Sequence, residues 1–296
     1  MVKSKKVMAL GFFDGIHVGH GALVNRAKEV ADALGAEACV LTFDNHPDTF
    51  VKGEKVELIN SANDRRYVLR RFFGVEKVYF IHFNGETMRM DWQVFIENII
   101  DTYNAAHFVV GHDFCFGYKG LGTAKVLKEY CGKKGIGCDI IDPVMRDGEI
   151  VSSTIIRRLL SEGETESANE LLGHPHVLTD TVRTGYRIGG SRLEAPTINM
   201  VFADGVLVPK MGVYATKVVL PDGEHIAVTN IGVRPTFGGD RVTVETNILD
   251  YEADLYGQNV CVEFHSFIRP ERRFDSPEEL MAQIKKDCLS ARRYFE

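Results

Sequence analysis

At 296 residues, 45% hydrophobic and 26% charged, the chain has apolar material for two packed domains but too much interspersed charge for a membrane-spanning run. Its net charge of −6 gives no general attraction to nucleic acid, so any phosphate must be held by local groups. Six cysteines, at 39, 115, 131, 138, 261 and 288, form no Cys-x-x-Cys pair, which predicts reduced thiols in a cytoplasmic protein.

No signal-peptide pattern is read around Lys3, Lys5 and Lys6, which precede only the short run Val7-Met8-Ala9-Leu10. That run reads as a buried strand. Leu23, Ala27, Val30 and Leu34 then mark one face of a helix, Gly35 stops it, and residues 38–43 read as the next strand. Between the first strand and the helix lies Gly11-Phe12-Phe13-Asp14-Gly15-Ile16-His17-Val18-Gly19-His20. A strand-to-helix turn of a βαβ unit offers N–H groups and a positive helix end to phosphate. Gly15 and Gly19 permit close backbone approach, and His17 and His20 are suited to gripping polyphosphate. The turn lacks the Gly-x-Gly-x-x-Gly of a dinucleotide fold. It also lacks the glutamate base of helical zinc hydrolases; a metal alternative would need a third ligand, for which His46 is the candidate.

Alternation continues with strands at 75–81 and 107–111 around a helix bearing Trp92, Phe95, Ile96 and Ile99. This pattern predicts a parallel sheet that binds ligands at the carboxyl ends of its strands. Residues 111–117 stand at one such end. Asp113 is placed to accept from a ligand hydroxyl or ring N–H, and Phe114 and Phe116 to wall a flat ring, with a plain core pair as the alternative. Ser152-Ser153-Thr154-Ile155-Ile156-Arg157 opens a helix with apolar Ile156, Leu159 and Leu160. Its hydroxyls and arginine exceed what a cap needs and suit an anion clamp.

The pattern changes near Gly173-His174-Pro175, predicting domains at 1–172 and 173–296. Period-two strands follow to about residue 270: 213–220 and 225–231 flank an Asp222-Gly223 turn, and 242–249 alternate, with Glu245 and Asn247 on one face. A small antiparallel barrel is expected. Ser276-Pro277-Glu278-Glu279 starts a last helix, whose Leu280, Ile284, Cys288, Ala291 and Phe295 should pack on it.

On these residues the chain resembles the bacterial bifunctional riboflavin kinase/FAD synthetases. Residues 11–20, 111–117 and 152–157 match the three motifs of that family's adenylyltransferase half. Pro196-Thr197-Ile198-Asn199, Gly212-Val213-Tyr214-Ala215, residues 230–236, Glu245, Asp254-Leu255-Tyr256-Gly257 and Phe274-Asp275-Ser276 match its kinase half. The resemblance implies an N-terminal Rossmann-like nucleotidyltransferase domain with a parallel sheet and helices. A small antiparallel β-barrel riboflavin kinase domain with a C-terminal helix would follow it. It implies phosphorylation of riboflavin by MgATP to FMN, then adenylylation of FMN by a second ATP to FAD and pyrophosphate. Small molecules are the expected partners, with neither nucleic acid nor membrane.

By the same resemblance, Gly11, Phe12, Phe13, Asp14, His17, Gly19, His20, Ser153, Thr154 and Arg157 hold ATP, with His17 and His20 catalytic, and Asp113, Phe114 and Phe116 hold the flavin. In the kinase half Gly189, Gly190, Ser191 and Arg192 cover phosphates, Thr197 and Asn199 hold Mg²⁺ and phosphate, and Glu245 is the base. Two departures stand out. Glu194-Ala195 replaces the usual glycine and aromatic, and Ser191 a common arginine. They keep open an alternative: an FMN adenylyltransferase whose barrel binds flavin but phosphorylates weakly or not at all. A flavin carrier without turnover is opposed by the intact histidine turn, and a tRNA synthetase by the short, acidic chain lacking a Lys-rich loop.

Overall fold

The computed structural model describes residues 4–51, 53, 56–183, 197–236 and 239–296. By its contacts the chain forms two units, Met1–Ser153 and Thr154–Glu296.

The first unit runs β1 (Lys6–Leu10), α1 (Val18–Leu34), β2 (Glu37–Phe43), α2 (Pro47–Val51), α3 (Ala62–Phe73), β3 (Lys77–Ile81), α4 (Gly85–Arg89) and α5 (Trp92–Tyr103). It continues with β4 (Ala105–Gly111), β5 (Cys115–Phe116), β6 (Gly122–Thr123), α6 (Ala124–Lys134), β7 (Gly137–Ile141), β8 (Met145–Arg146) and β9 (Glu149–Ile150). Five strands form the expected parallel sheet, in the order β3-β2-β1-β4-β7. The chain adds strands on one side of β1, then returns to add β4 and β7 on the other. The carboxyl ends of β1 and β4 therefore flank the topological switch point, where open α/β sheets form a crevice.

Val7, Met8, Ala9 and Leu10 are all buried, as a strand covered on both faces requires. On one face Met8, Leu10, Phe108 and Val110 pack with Phe95, Ile96, Ile99 and Leu127. Gly35 ends α1 at φ 58°, its N–H reaching the Ala31 and Asp32 carbonyls. Leu23, Ala27 and Val30 are buried as predicted, but Leu34 is exposed in the last turn before the cap.

The second unit begins within α7 (Ser153–Glu162) and continues through α8 (Thr165–Leu172), β10 (His176–Thr181), β11 (Thr197–Met200), β12 (Gly212–Leu220), β13 (Gly223–Thr236), β14 (Gly239–Ile248), β15 (Asn259–Pro270) and α9 (Pro277–Phe295). Its antiparallel sheet has the order β10-β15-β12-β13-β14-β11. Just beyond β10, Arg183 bridges to Asn199 of β11, with Arg183 N–H donating to the Asn199 carbonyl at 2.9 Å. This bridge joins the two outer strands and curls the sheet into the expected barrel. Val244, Thr246 and Ile248 face inward, and the interior holds Ile198, Met200, Ile231 and Phe264.

Three particulars depart from the sequence reading. Leu220 pairs with Gly223, so the hairpin turn is Pro221-Asp222, one residue earlier than expected. Gly173, where the pattern changes, is the cap of α8 at φ 77°. Helices α7 and α8 hold to the barrel: Leu160 O accepts from Lys210 N at 3.0 Å, and Asn169 bonds Phe264 O and His176 N, each at 2.8 Å. The contact boundary thus falls at Ser153/Thr154, ahead of the pattern change. Finally, Leu280 of α9 is exposed, while Cys288, Ala291 and Phe295 pack on Val213, Ala215 and Val228. Buried Asp287 anchors the helix instead, accepting from Arg269 Nε at 3.1 Å and Nη2 at 2.8 Å. A planar guanidinium matches a carboxylate in this forked way.

Candidate active sites

The turn after β1 is held in an unusual backbone. Phe13 and Ile16 have φ of 56° and 45°, a region bulky and β-branched residues avoid, and Gly15 has φ 78°. Buried Asp14 stabilises it: Oδ1 accepts from Ile59 N at 2.8 Å and Asn60 N at 3.4 Å, and the Asp14 carbonyl accepts from Ser153 Oγ at 2.9 Å. The structure therefore brings Ser153 to the histidine turn. Thr154 and Arg157 follow in the first turns of α7, with Arg157 Nη1 3.5 Å from Thr154 Oγ1.

His17 is the N-cap of α1, and its Nδ1 accepts from His20 N at 3.4 Å. Accepting there puts the ring proton on Nε2. The two imidazoles stack at 3.8 Å, and a Cβ on Gly19 would sit 3.0 Å from the His17 ring. What the structure shows at Gly19 is thus room for His17. His20 Nδ1 is buried without a hydrogen-bond partner among the described residues. Burial first, then His17 and Arg65, holds the His20 pKa well below the ordinary histidine value, so its ring is neutral at the positive end of α1. His46 instead turns its ring edge to Phe12 at 4.5 Å and accepts from Asp48 N at 3.1 Å. Among the described residues no three His, Cys, Asp or Glu side chains converge as a metal site.

Sequence reasoning missed Arg65. It is wholly buried in α3, and Nη1 donates to Phe12 O at 2.8 Å and to Thr42 Oγ1 at 3.0 Å. The sequence does not single it out, because Arg66, Arg70 and Arg71 stand in the same helix.

At the carboxyl ends of β1 and β2 opens a cavity of about 250 Å³. Leu10, Gly11, Phe43, Phe95, Phe114 and Phe116 contribute to its largely apolar wall. Phe114 and Phe116 stack at 5.1 Å, and both line this cavity while Phe116 also belongs to the core, with Phe114 packed against it. Asp113 is outside the lining: its carboxylate is 82% exposed, 4.0 Å from His112 Nδ1.

In the barrel, Asn199 lies directly opposite Glu245, Thr197 opposite Asn247, and Asn230 opposite Glu245 from the other side. Opposed residues share a face with Cβ atoms about 5 Å apart. The face is the one turned away from the Val244–Thr246–Ile248 interior. Asn247 Oδ1 is buried there without a hydrogen-bond partner among the described residues. Thr197, Asn199 and Glu245 are therefore brought together, and Asn230 and Asn247 join them. Gly189, Gly190, Ser191, Arg192 and Glu194 lie outside the described residues.

Comparison with known proteins matches both halves. A family model described as FAD synthetase matches residues 1–155, and one described as riboflavin kinase matches residues 172–295. The chain is 35% identical to a bifunctional riboflavin kinase/FMN adenylyltransferase of Listeria monocytogenes, over 98% of this chain and 92% of that protein. For the protein of that name from Bacillus subtilis the identity is 34%, covering 99% and 93%. For that of Escherichia coli K12 it is 32%, covering 98% and 92%. A crystal structure of a protein named as a macrolide-efflux protein from Streptococcus pneumoniae superposes with a TM-score of 0.81 at 31% identity, covering 99% of this chain and 95% of that one. Among the described residues, no helix of this chain is long and apolar enough to cross a membrane.

Proposed function

The chain belongs to the bifunctional riboflavin kinase/FMN adenylyltransferase family, and from that premise we propose which of its residues carry each reaction. It is an enzyme with both activities: riboflavin and ATP give FMN, and FMN and a second ATP give FAD and pyrophosphate. We assign adenylylation to residues 1–172 and phosphorylation to residues 173–296.

In adenylylation the FMN phosphate oxygen attacks the α-phosphorus of ATP, and the bond to pyrophosphate breaks. No covalent enzyme intermediate is needed, because the nucleophile is already charged. The protein's task is placement and charge stabilisation. The observation that carries the assignment is the His17/His20 helix terminus at the switch point, with an apolar cavity alongside that includes Gly11. His17 Nε2–H, His20 and the first amides of α1 meet the phosphates, with Gly11, Phe12, Phe13, Asp14 and Gly19 shaping the turn. Ser153, Thr154 and Arg157 complete the clamp. Phe114 and Phe116 wall the isoalloxazine ring, and exposed Asp113 serves the flavin's polar edge.

In the kinase half Glu245 takes the proton of the ribityl hydroxyl as its oxygen attacks the γ-phosphorus of ATP, and the bond from that phosphorus to the β,γ-bridging oxygen breaks, releasing ADP. Thr197 and Asn199 offer hard oxygen donors beside it, and the orphan Asn247 oxygen adds another, so the donor set fits Mg²⁺. When bound there, Mg²⁺ would neutralise phosphate charge. To Gly189, Gly190, Ser191 and Arg192 we assign the covering of the phosphates. We place the enzyme in the cytoplasm, whose reducing conditions suit its free thiols at Cys39, Cys115, Cys131, Cys138, Cys261 and Cys288.

The test is to incubate the protein with riboflavin and MgATP, or with FMN and ATP, and separate FMN from FAD. His17→Ala and His20→Ala should each slow FAD formation by about 10²–10³ and leave FMN formation near wild type. Equal loss of both products in a folded variant would overturn the two-site assignment.

A further inference from the structure

We propose that Arg65 is a positioning residue for adenylyl transfer, pinning the Phe12 carbonyl from beneath and presenting a fixed positive charge to His20. The proposal rests on the reading of the histidine turn as the adenylylation site.

Arg65 Nη1, Thr42 Oγ1 and the Phe12 carbonyl form a closed set of three hydrogen bonds. Arg65 donates to both partners, and Thr42 Oγ1 donates to Phe12 O at 2.7 Å. The Phe12 carbonyl thus accepts twice at the point where the chain leaves the sheet for its strained path through Phe13 and Ile16. Strained backbone persists only where its surroundings over-determine it. The guanidinium carbon also lies 5.0 Å from the Phe12 ring centroid and 5.2 Å from that of Phe80, which prevents the side chain from sliding away.

A pin alone needs no charge. Burial lowers the Arg65 pKa to about 10 against the opposing pull of Asp14, Asp44 and Asp64, so the group stays charged at neutral pH. Nε and Nη2 find no hydrogen-bond partner among the described residues. Keeping a charge in such a place is costly, and the carboxylates of Asp14, Asp44 and Asp64 offset that cost only in part. The charged and titratable groups that act on His20 are its stacked neighbour His17 and Arg65, and both disfavour its protonation. Arg65 therefore ties together two properties of the site, the shape of the turn and the neutrality of the resting imidazole.

Arg65→Lys, Arg65→Met and Thr42→Val separate the two in the full-length enzyme, with circular dichroism and thermal unfolding as the control for folding and riboflavin phosphorylation as the control for the kinase half. Arg65→Lys keeps the charge and loses the planar donor set. The kcat for FAD formation should fall about 10–100-fold, with the acid limb of its pH profile unmoved and KM for FMN little changed. Arg65→Met should lower kcat at least as far and shift the acid limb upward, because His20 protonates more readily without its neighbour's charge. Thr42→Val, which removes one donor to Phe12 O, should lower kcat without a pH shift. Wild-type kcat and pH profile in a folded Arg65→Met variant would overturn the proposal. So would equal losses in both Arg65 variants with no difference in pH profile, the mark of a structural residue only. If Arg65→Met does not fold, wild-type kcat in Thr42→Val overturns it. His20→Ala run in parallel separates the premise from the proposal, since full FAD formation without His20 would refute the reading of the turn itself.

Discussion

His176 makes the barrel's stability dependent on pH in a calculable way. It opens β10 with its ring almost wholly buried against Phe264, the ring centroids 5.7 Å apart, and neither ring nitrogen has a hydrogen-bond partner. Burial, with His174 as the lesser cause, lowers its pKa from 6.5 to about 3. Between those values the unfolded chain binds a proton that the native ring refuses. Stability is therefore lost as pH falls through that window and is flat above it. Each pH unit in the window is worth about 1.4 kcal/mol, so the loss reaches about 2 kcal/mol at pH 5. His176→Phe keeps an aromatic ring and removes the titration. Urea unfolding of both proteins at pH 7 and pH 5, read by pulse proteolysis of the C-terminal unit, measures the difference and cancels the other titrating groups. The variant's advantage should grow by about 2 kcal/mol from pH 7 to pH 5. An advantage that stays constant between the two pH values would show that the native ring accepts its proton, and the burial argument would fail.

Glu245→Gln should abolish FMN formation from riboflavin while FMN-to-FAD conversion continues, which product separation reads directly. Glu194→Gly should alter the Mg²⁺ or ATP requirement of FMN formation and leave adenylylation alone, because a carboxylate beside the phosphates favours the cation and opposes the anion. A Mg²⁺ titration identical to wild type would refute that role. A fragment of residues 154–296 should fold by circular dichroism and make FMN but never FAD. A fragment of residues 174–296 should be markedly less stable, because it loses the Asn169 bonds to Phe264 and His176 and the Leu160 bond to Lys210.

What could be read from the sequence was local. The histidine turn follows from a buried apolar run, a helical repeat and Gly35 as a cap, all contained in the continuous stretch of residues 7–35. The β14 alternation likewise separates Glu245 from Val244 and Thr246 without reference to any other strand. The facing of Glu245 by Asn199 and Asn230 needs strand register, which periodicity alone leaves open. Arg65 shows the harder case. It stands in a helix with Arg66, Arg70 and Arg71, and nothing in that run distinguishes the buried arginine from the others. Its partner Phe12 lies 53 residues away, and the Phe12 carbonyl has no side-chain identity to read. Asp287 escaped for the same reason: an acid on an amphipathic helix predicts solvent until Arg269 of a neighbouring strand is placed beside it. Asp113 is the converse, a polar residue at a strand end whose neighbours suggest a pocket while its own carboxylate points to water. Side chains whose role depends on meeting a backbone carbonyl or a distant charge become visible only when the fold brings the two together. For that reason the positioning residues of this site had to be found in the structure, while its histidines could be found before it.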